Sequence, residues 1–415
     1  MTATATDHDQ VTAEEDAFRA RARTFLEAHA PHRTDDGSQD GRDPTGDNRV
    51  DAARVYQAAL FDADLAALTW PKEYGGQGLP ARYQTIFNEE AADFATPDGV
   101  FTIGFGMCVP TLLAHGTEAH KQRFVRPAAR GQEIWCQLFS EPSAGSDVAS
   151  LRSTAGRDGD EWVLNGQKVW TSGAHYSQYG IVLARTDPEQ PKHRGLSMFI
   201  LDMHSPGITI RPLRQMSGGA NFNEVFFDGV RIPTDDILGQ PGDGWRVALT
   251  TLMNERVAIG AGRSTEKTSP LTPIAKHLEL ARDRGVLGHP VVRQDLAGLL
   301  IGYWVLDMVG LRIRATVAAG RVPGPEGSVA KLIGAMLMRR SADLACRLAG
   351  PAATAWVSGD ADAEWPSQLV LSAPASGIAG GTNEVMRNIL GERVLGLPKE
   401  PSVDRDVPFR DLPFS

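Results

Sequence analysis

The chain has 415 residues, more than one ordinary core organises, so two or three packed layers or subdomains are expected. Its 51 acidic residues outnumber 42 basic ones for a net charge of -9, and no stretch concentrates Lys and Arg, which excludes a phosphate-tracking nucleic-acid surface. Cys108, Cys136 and Cys346 are widely spaced and lack a C-x-x-C pairing, excluding a disulfide frame and a zinc knuckle. The opening "MTATATDHDQVTAEEDAF" has no basic segment followed by an apolar one, and no run of about 18 apolar residues occurs, so a cytoplasmic chain without a membrane span is expected.

Up to about Gly131 the apolar spacing predicts helices. Phe18, Ala22, Phe25 and Leu26 form one stripe, Val55 to Leu68 carry a second, and "EAHKQRFVRPAAR" reads as a short helix closed by Gly131. Between Asp35 and Arg49 a polar Asp/Gly-rich segment is expected to loop. From Ile134 to about Leu238 the period shortens: "EWVLNGQKVWTSG", "YGIVLARTD", "GLSMFIL", "GITIRPL" and "NEVFFDGVRIP" predict short strands of an antiparallel barrel or sandwich. After Gly244 helical spacing returns over Trp245 to about Arg284, Val291 to Ala319, Ser328 to Leu348 and Asn383 to Leu395, as a four-helix layer would require. The expected fold is α+β and mostly α: an N-terminal α domain over residues 1–132, a small middle β domain over 133–239, and a C-terminal four-helix bundle over 240–415.

No G-x-G-x-x-G follows a strand, and the Walker, H-E-x-x-H and G-x-S-x-G patterns are absent, which removes Rossmann, NTPase, zincin and hydrolase readings; no metal site is expected. One S-x-x-K, Ser328 to Lys331, falls in a helical stretch without companion motifs. Four other stretches are more specific: "QLFSEPSAGSDVASL", "NGQKVWTSGA", "NEVFFDGVRIPTDDILG" and "GGTNEVMRNILGERVLGLP", flanked by "WPKEYGGQG" and "HGTEAHKQRF". In this order and at these separations they resemble the acyl-CoA dehydrogenase family over nearly the whole chain. The resemblance implies an FAD-dependent homotetramer, or a heterotetramer or dimer, that oxidises an acyl-CoA or carrier-protein thioester to its trans-2-enoyl product. It also implies an electron-transfer flavoprotein as partner. A same-fold oxygen-using flavoenzyme (acyl-CoA oxidase or monooxygenase) and a non-catalytic subunit of a hetero-oligomer are the alternatives.

An α,β-dehydrogenation needs a hydride acceptor, hydrogen bonds on the thioester oxygen and a carboxylate at the α-carbon. The small residues of "QLFSEPSAGSD" let a loop lie against a flat ring. By resemblance Gln137, Phe139 and Ser140 occupy flavin-contacting positions, Ser146 lies between flavin and CoA arm, and Glu141 braces the loop. Trp170 is expected on the isoalloxazine, with Ser172 keeping a hydroxyl nearby. The family's pyrophosphate-binding arginine matches Arg284 in "RDRGVLGHPVVRQDL", but Leu287 replaces a Phe, the glutamine position falls on Asp295, and the upstream Gln-x-x-Gly-Gly is missing. Gly380, Gly381 and Thr382 match the turn whose amides and hydroxyl approach the cofactor, followed by Glu384 as a first-turn acid or cofactor-side contact.

Many family members carry the catalytic glutamate directly before the Gly-Thr of that turn, where this chain has Gly380. A minority place it on the first long C-terminal helix before an arginine, which Glu255 and Arg256 match. Leu249, Leu252, Met253, Val257, Ala258 and Ile259 surround Glu255 in sequence and predict a dry setting that raises its pKa. By match Asn254 and Arg256 lie near the acyl-CoA, and the Gly380 amide holds the thioester oxygen. Gly104 and Gly106 could open space for a bulky or branched acyl chain.

Overall fold

The computed structural model describes residues 5–32, 47–260, 274–319, 321, 324–355, 359–401 and 404–412. Helix α1 (Ala5–His29) buries the expected stripe of Phe18, Ala22, Phe25 and Leu26 and packs on α3 (Ala81–Ala91). Arg19 and Arg23 pin that pairing through the buried Glu90, at 2.6 and 2.7 Å. Helix α2 (Asp47–Asp62) ends before its apolar run does. Asp64 and Ala67 turn the chain with φ of 57° and 50°, so Leu65 and Leu68 reach the core from a turn. Most of the polar segment expected to loop lies outside the described residues, and α2 already begins at its Asp47. Helices α4 (Val109–His115) and α5 (Glu118–Ala129) follow, and Gly131 ends the latter with a φ of 78°.

The strands are β1 (Trp135–Leu138), β2 (Thr154–Asp158), β3 (Glu161–Ser172), β4 (Tyr179–Arg185), β5 (Leu196–Asp202), β6 (Ile208–Leu213), β7 (Phe222–Pro233) and β8 (Ile237–Leu238). They form an 8-stranded sheet in the order β6-β7-β3-β2-β4-β5-β8, with β1 beside β4. The sheet is mixed, not purely antiparallel as the short strands suggested: β1 and β2 both run parallel to β4. A long loop over residues 139–153, instead of a hairpin turn, joins β1 to β2 and lets both keep one direction. Strands β4 and β5 read as continuous apolar runs because both their faces are covered. Ile181, Leu183, Met198 and Ile200 join the core shared with the N-terminal helices, while Val182, Ala184, Phe199 and Leu201 join a second core with Trp162, Val225 and Phe227.

Helix α6 (Gly244–Gly260) starts hard against β5, where a Cβ on Gly244 would come within 2.5 Å of the Ser197 amide nitrogen. The single helix expected to run to Arg284 is divided: α7 (Ala275–Asp283) is separate, and residues 261–273 lie outside the described part. Then come α8 (Pro290–Ala318), α9 (Glu326–Ala349), α10 (Ala361–Ser376) and α11 (Asn383–Ile389), the last continuing into a π-helical turn, Leu390–Val394. Helix α10 was not expected; Pro366 and Pro374 lie inside it, and each removes a backbone donor. Its packing on α9 outweighs that loss. Helix α9 is the hub on which α7, α8, α10 and α11 pack.

The chain parts into two compact units: one of residues 1–214, 219–254 and 401–415, the other of 215–218 and 255–400. In the second, Pro290–Thr316 of α8 is by length and composition apolar enough to cross a membrane, with 22% of its most apolar window buried. The sequence pattern hid this because Asp307 and Arg312 interrupt the run. Ile301, Trp304, Val305 and Met308 recur at helical spacing on its exposed face. Leu337 of α9 is 2% exposed in the core beneath. Leu337→Ala should therefore lower stability by about 2–5 kcal/mol, read as a drop in the denaturation midpoint of this unit.

Candidate active site

The loop between β1 and β2 is stitched to β3 by a buried charge. Glu141 closes a tight turn with Ala144 through two backbone hydrogen bonds, of 3.1 and 3.0 Å. Its carboxylate accepts the amides of Arg152 at 2.6 Å and Ser153 at 3.0 Å and the Lys168 ammonium at 2.8 Å. Lys168 has 0% of its surface exposed, and its Nζ also donates to the Phe139 carbonyl at 2.9 Å. The Val169 amide donates to the Ser140 carbonyl at 2.9 Å, so Phe139 and Ser140 lie directly alongside the strand segment that leads to Trp170. Burial pushes the Glu141 carboxyl up, but Lys168 and the amide donors outweigh it and hold the group below the usual carboxylate range. Burial likewise pulls the Lys168 ammonium down against the pull of Glu141.

Trp170 sits where β3 slips register against β7, between Lys168 and Thr171. Its φ is 62°, a left-handed conformation that is an outlier for a bulky residue, and its indole is 57% exposed, edge-on to Phe222 at 5.8 Å. Strain spent on holding a large aromatic ring out of a sheet is an arrangement that folding alone does not favour. Thr171 Oγ1, next to it, is buried without a hydrogen-bond partner. Ser172 is half-buried opposite Phe222. Gln137 and Ser140 are half-buried and Ser146 exposed, each available to a ligand. The Phe139 ring, by contrast, is committed to the core, so that residue can meet a ligand only through its backbone. An exposed aromatic face beside a loop of small residues fits a flavin ring.

In the second unit Gly380 and Gly381 have φ of 68° and 92°. A Cβ on Gly381 would stand 2.6 Å from Met386 Cε. A glutamate at 380 would have to sit on left-handed backbone, so the acid cannot be supplied there without strain. Thr382 caps α11 by accepting the Val385 amide at 3.2 Å, which leaves its hydroxyl proton to donate. Glu384 is exposed in the first turn and pairs with Arg387 at 3.4 Å. Lys331 of α9, from the isolated S-x-x-K, reaches Asn383 Oδ1 at 3.4 Å. Arg284 is exposed at the end of α7, followed by left-handed Gly285 with φ 66°. Asp295, at the family's glutamine position, is held by Arg347 at 2.8 Å.

Helix α6 is anchored along one side by Thr251 to Thr111 at 2.9 Å and Thr250 to His115 at 2.7 Å, with Val247 and Ala248 buried beside them. Asn254 and Glu255 are half-buried at its next turn. The Arg256 side chain and those of Val257, Ala258 and Ile259 lie outside the described part. One expectation is corrected here. Leu249 and Met253 are 39% and 47% exposed, so they do not dry Glu255 as the sequence suggested, because the buried stripe of α6 is Val247, Ala248 and Thr251.

Profiles of the acyl-CoA dehydrogenase N-terminal, middle and C-terminal domains match residues 12–132, 136–230 and 242–395. Acyl-CoA dehydrogenase IpdE1 of Mycobacterium tuberculosis is 41% identical over 353 residues, covering 84% of this chain and 88% of the relative. The chain belongs to the acyl-CoA dehydrogenase family. It is an oxidoreductase of a flavoprotein family of lipid metabolism in which tetramers are typical. Among solved structures, a Tcur3481-Tcur3483 steroid ACAD G363A variant matches with a TM-score of 0.75 and 28% identity, covering 94% of this chain and 100% of that one. The ChsE4-ChsE5 complex from Mycobacterium tuberculosis matches with a TM-score of 0.72 and 28% identity, over 96% of this chain and 99% of that one.

Sequence reasoning named the Glu141 brace but passed over its partner. A lysine directly before the apolar pair Val169-Trp170, two residues after the Asn165-Gly166 irregularity inside β3, was the available signal for Lys168. The pair makes a pH prediction. Because the folded Glu141 pKa is depressed, its stabilisation is complete above the unfolded value of about 4.3 and is lost as pH falls through the folded value. Glu141→Gln should cost about 3–5 kcal/mol near neutrality by stranding Lys168. Unfolding midpoints followed from pH 7 to pH 3 should fall more steeply for the parent than for this variant.

Proposed function

We propose that this chain binds FAD and catalyses α,β-dehydrogenation of an acyl-CoA thioester, with Glu255 as the base that takes the α-proton. The observation that carries the reading is the pairing of a left-handed glycine at 380, where a glutamate would be strained, with a half-buried Glu255 on α6. When bound, FAD supplies the hydride acceptor. Trp170 packs on the ring, and Gln137, Ser140 and Ser172 offer it polar groups. Gly381, Thr382 and Glu384 border it, while the Gly380 amide holds the thioester oxygen and acidifies the α-carbon. Arg284 meets the cofactor phosphates, and Ser146, Asn254 and Arg256 contact the CoA arm and acyl group.

The acyl group we infer is bulky and ring-bearing, as the similarity to a steroid ACAD suggests. At Gly104 the Cβ position lies 3.4 Å from Trp135 Cβ, an ordinary van der Waals contact. Electrons pass to an electron-transfer flavoprotein, in the cytoplasm. The exposed apolar face of α8 is covered by another subunit, and the Asp295–Arg347 pair, standing where the family has a glutamine, favours a hetero-oligomer whose partner completes the adenine end.

Two variants test the reading. Trp170→Ala should weaken FAD retention and shift the flavin spectrum; full occupancy with an unchanged spectrum would take Trp170 out of the site. Glu255→Gln should keep fold and flavin yet slow anaerobic bleaching by a ring-bearing CoA thioester about 10²- to 10⁴-fold. Parental bleaching by that variant would make Glu255 structural.

A further inference from the structure

After α11 the chain returns to the first unit, and Asp404–Leu412 packs along the connection between β4 and β5, beside the loop that carries the proposed flavin contacts. The docking is specific along its length. Pro408 bridges Pro191, the Phe409 amide donates to the Gln190 carbonyl at 3.0 Å, the Arg410 amide donates to the Pro188 carbonyl at 3.1 Å, and the Arg410 side chain reaches Glu189 at 2.6 Å. Two of its side chains do more than hold the surface.

The Phe409 ring lies 3.3 Å from the Arg185 guanidinium carbon and 5.7 Å from that of Arg152. Arg185, 2% exposed, donates to the carbonyls of Ala149 at 2.7 Å, Leu151 at 3.3 Å and Lys192 at 3.2 Å. It therefore holds the returning limb of the flavin loop by its backbone, and Phe409 covers the face of that cation. The next residues, Arg152 and Ser153, give their amides to Glu141, which Lys168 ties to the Phe139 carbonyl. Earlier on the same limb, Lys192 is gripped by Asp404 at 2.6 Å and by Asp147 at 2.8 Å, and Asp147 also accepts the Ser150 hydroxyl at 2.6 Å. Asp147 is the neighbour of Ser146. The loop holding Lys192 meets α6 too, where His193 packs edge-on against Trp245 at 4.8 Å.

We propose that Asp404–Leu412 is a strap that positions the 139–153 loop for cofactor and thioester, with Phe409 acting through Arg185 and Asp404 acting through Lys192 and Asp147. Phe409 and Asp404 are positioning residues and touch neither ligand. The proposal rests on the flavin-loop reading above, so its test includes one measurement that needs no flavin. A cation under an aromatic face is stabilised when it is desolvated. An aliphatic cover of similar size excludes water but lacks that attraction, which separates the strap from a simple surface seal.

In the full chain, amide exchange of residues 149–153 should speed at least tenfold in Phe409→Leu and remain parental in Phe409→Tyr. Asp404→Asn should loosen residues 146–150 by a similar factor, and Asp404→Glu should restore them. With flavin and thioester present, Phe409→Leu and Asp404→Asn should raise the FAD Kd and the thioester KM several-fold while kcat changes less than twofold. Parental exchange in Phe409→Leu and Asp404→Asn overturns the strap outright. Faster exchange with unchanged Kd and KM also overturns it, since the segment would then order a loop without serving the site. A parent that binds no flavin, together with faster exchange in the two variants, removes the functional reading and with it the positioning role, leaving only a structural clamp.

Discussion

An ammonium group with no surface in water must be neutralised and hydrogen-bonded by the chain around it, and much of the first unit's local order follows from how Lys168 is satisfied. Its two partners come from the loop that opposes β3, one a carboxylate and one a carbonyl. Glu141 can face Lys168 only if the loop turns tightly at Ala144 and returns so that the Arg152 and Ser153 amides point inward. One buried charge thereby ties both limbs of a polar, Ser-rich loop whose packing rests on Phe139, Ala144, Ala149 and Leu151. The cost is a site intolerant of single changes, because removing either partner leaves the other charged and buried.

Helix packing supplies the second constraint. The N-terminal helices and one face of β4 and β5 share a core, while the other face of those strands belongs to a second core enclosed by the sheet. A one-residue shift of these strands would exchange the side chains facing the two cores and mispack both. The loop begins at β1, which pairs with the doubly covered β4. Arg185 extends that constraint, since it sits at the end of β4 and reaches the backbone of the loop directly.

Much of this was legible in the residues. Alternation marked β3 and β7, a continuous apolar run marked β5, the spacing of Phe18, Ala22, Phe25 and Leu26 marked the buried face of α1, and the Gly-Gly-Thr run marked a turn ahead of α11. What the sequence hid depended on partners far along the chain. Pro366 and Pro374 disfavour a helix locally, and packing of α10 on α9 overrides them. The parallel placement of β1 and β2 depended on a loop whose return is set by an ion pair, not by a turn motif. Leu249 and Met253 looked buried because apolar residues around an acid suggest a core, whereas helical phase puts them away from the Val247, Ala248 and Thr251 stripe. Asp404 and Phe409 were invisible for the same reason, lying more than two hundred residues from Lys192 and Arg185.

Trp170 sets stability against recognition at one position. A left-handed backbone under a β-unbranched but bulky side chain costs on the order of 1–3 kcal/mol, and the exposed indole recovers little of it from packing within the sheet. Glycine would relieve that strain at once, and a stacked ligand would instead offset it. Trp170 is thus not the most stable residue for this backbone, and, where the indole stacks on the cofactor as proposed, cofactor capture and folding are linked through it. Laboratory evolution guided by heat resistance alone would drift toward glycine at 170 and yield a sturdier protein that had surrendered the aromatic wall proposed for the flavin.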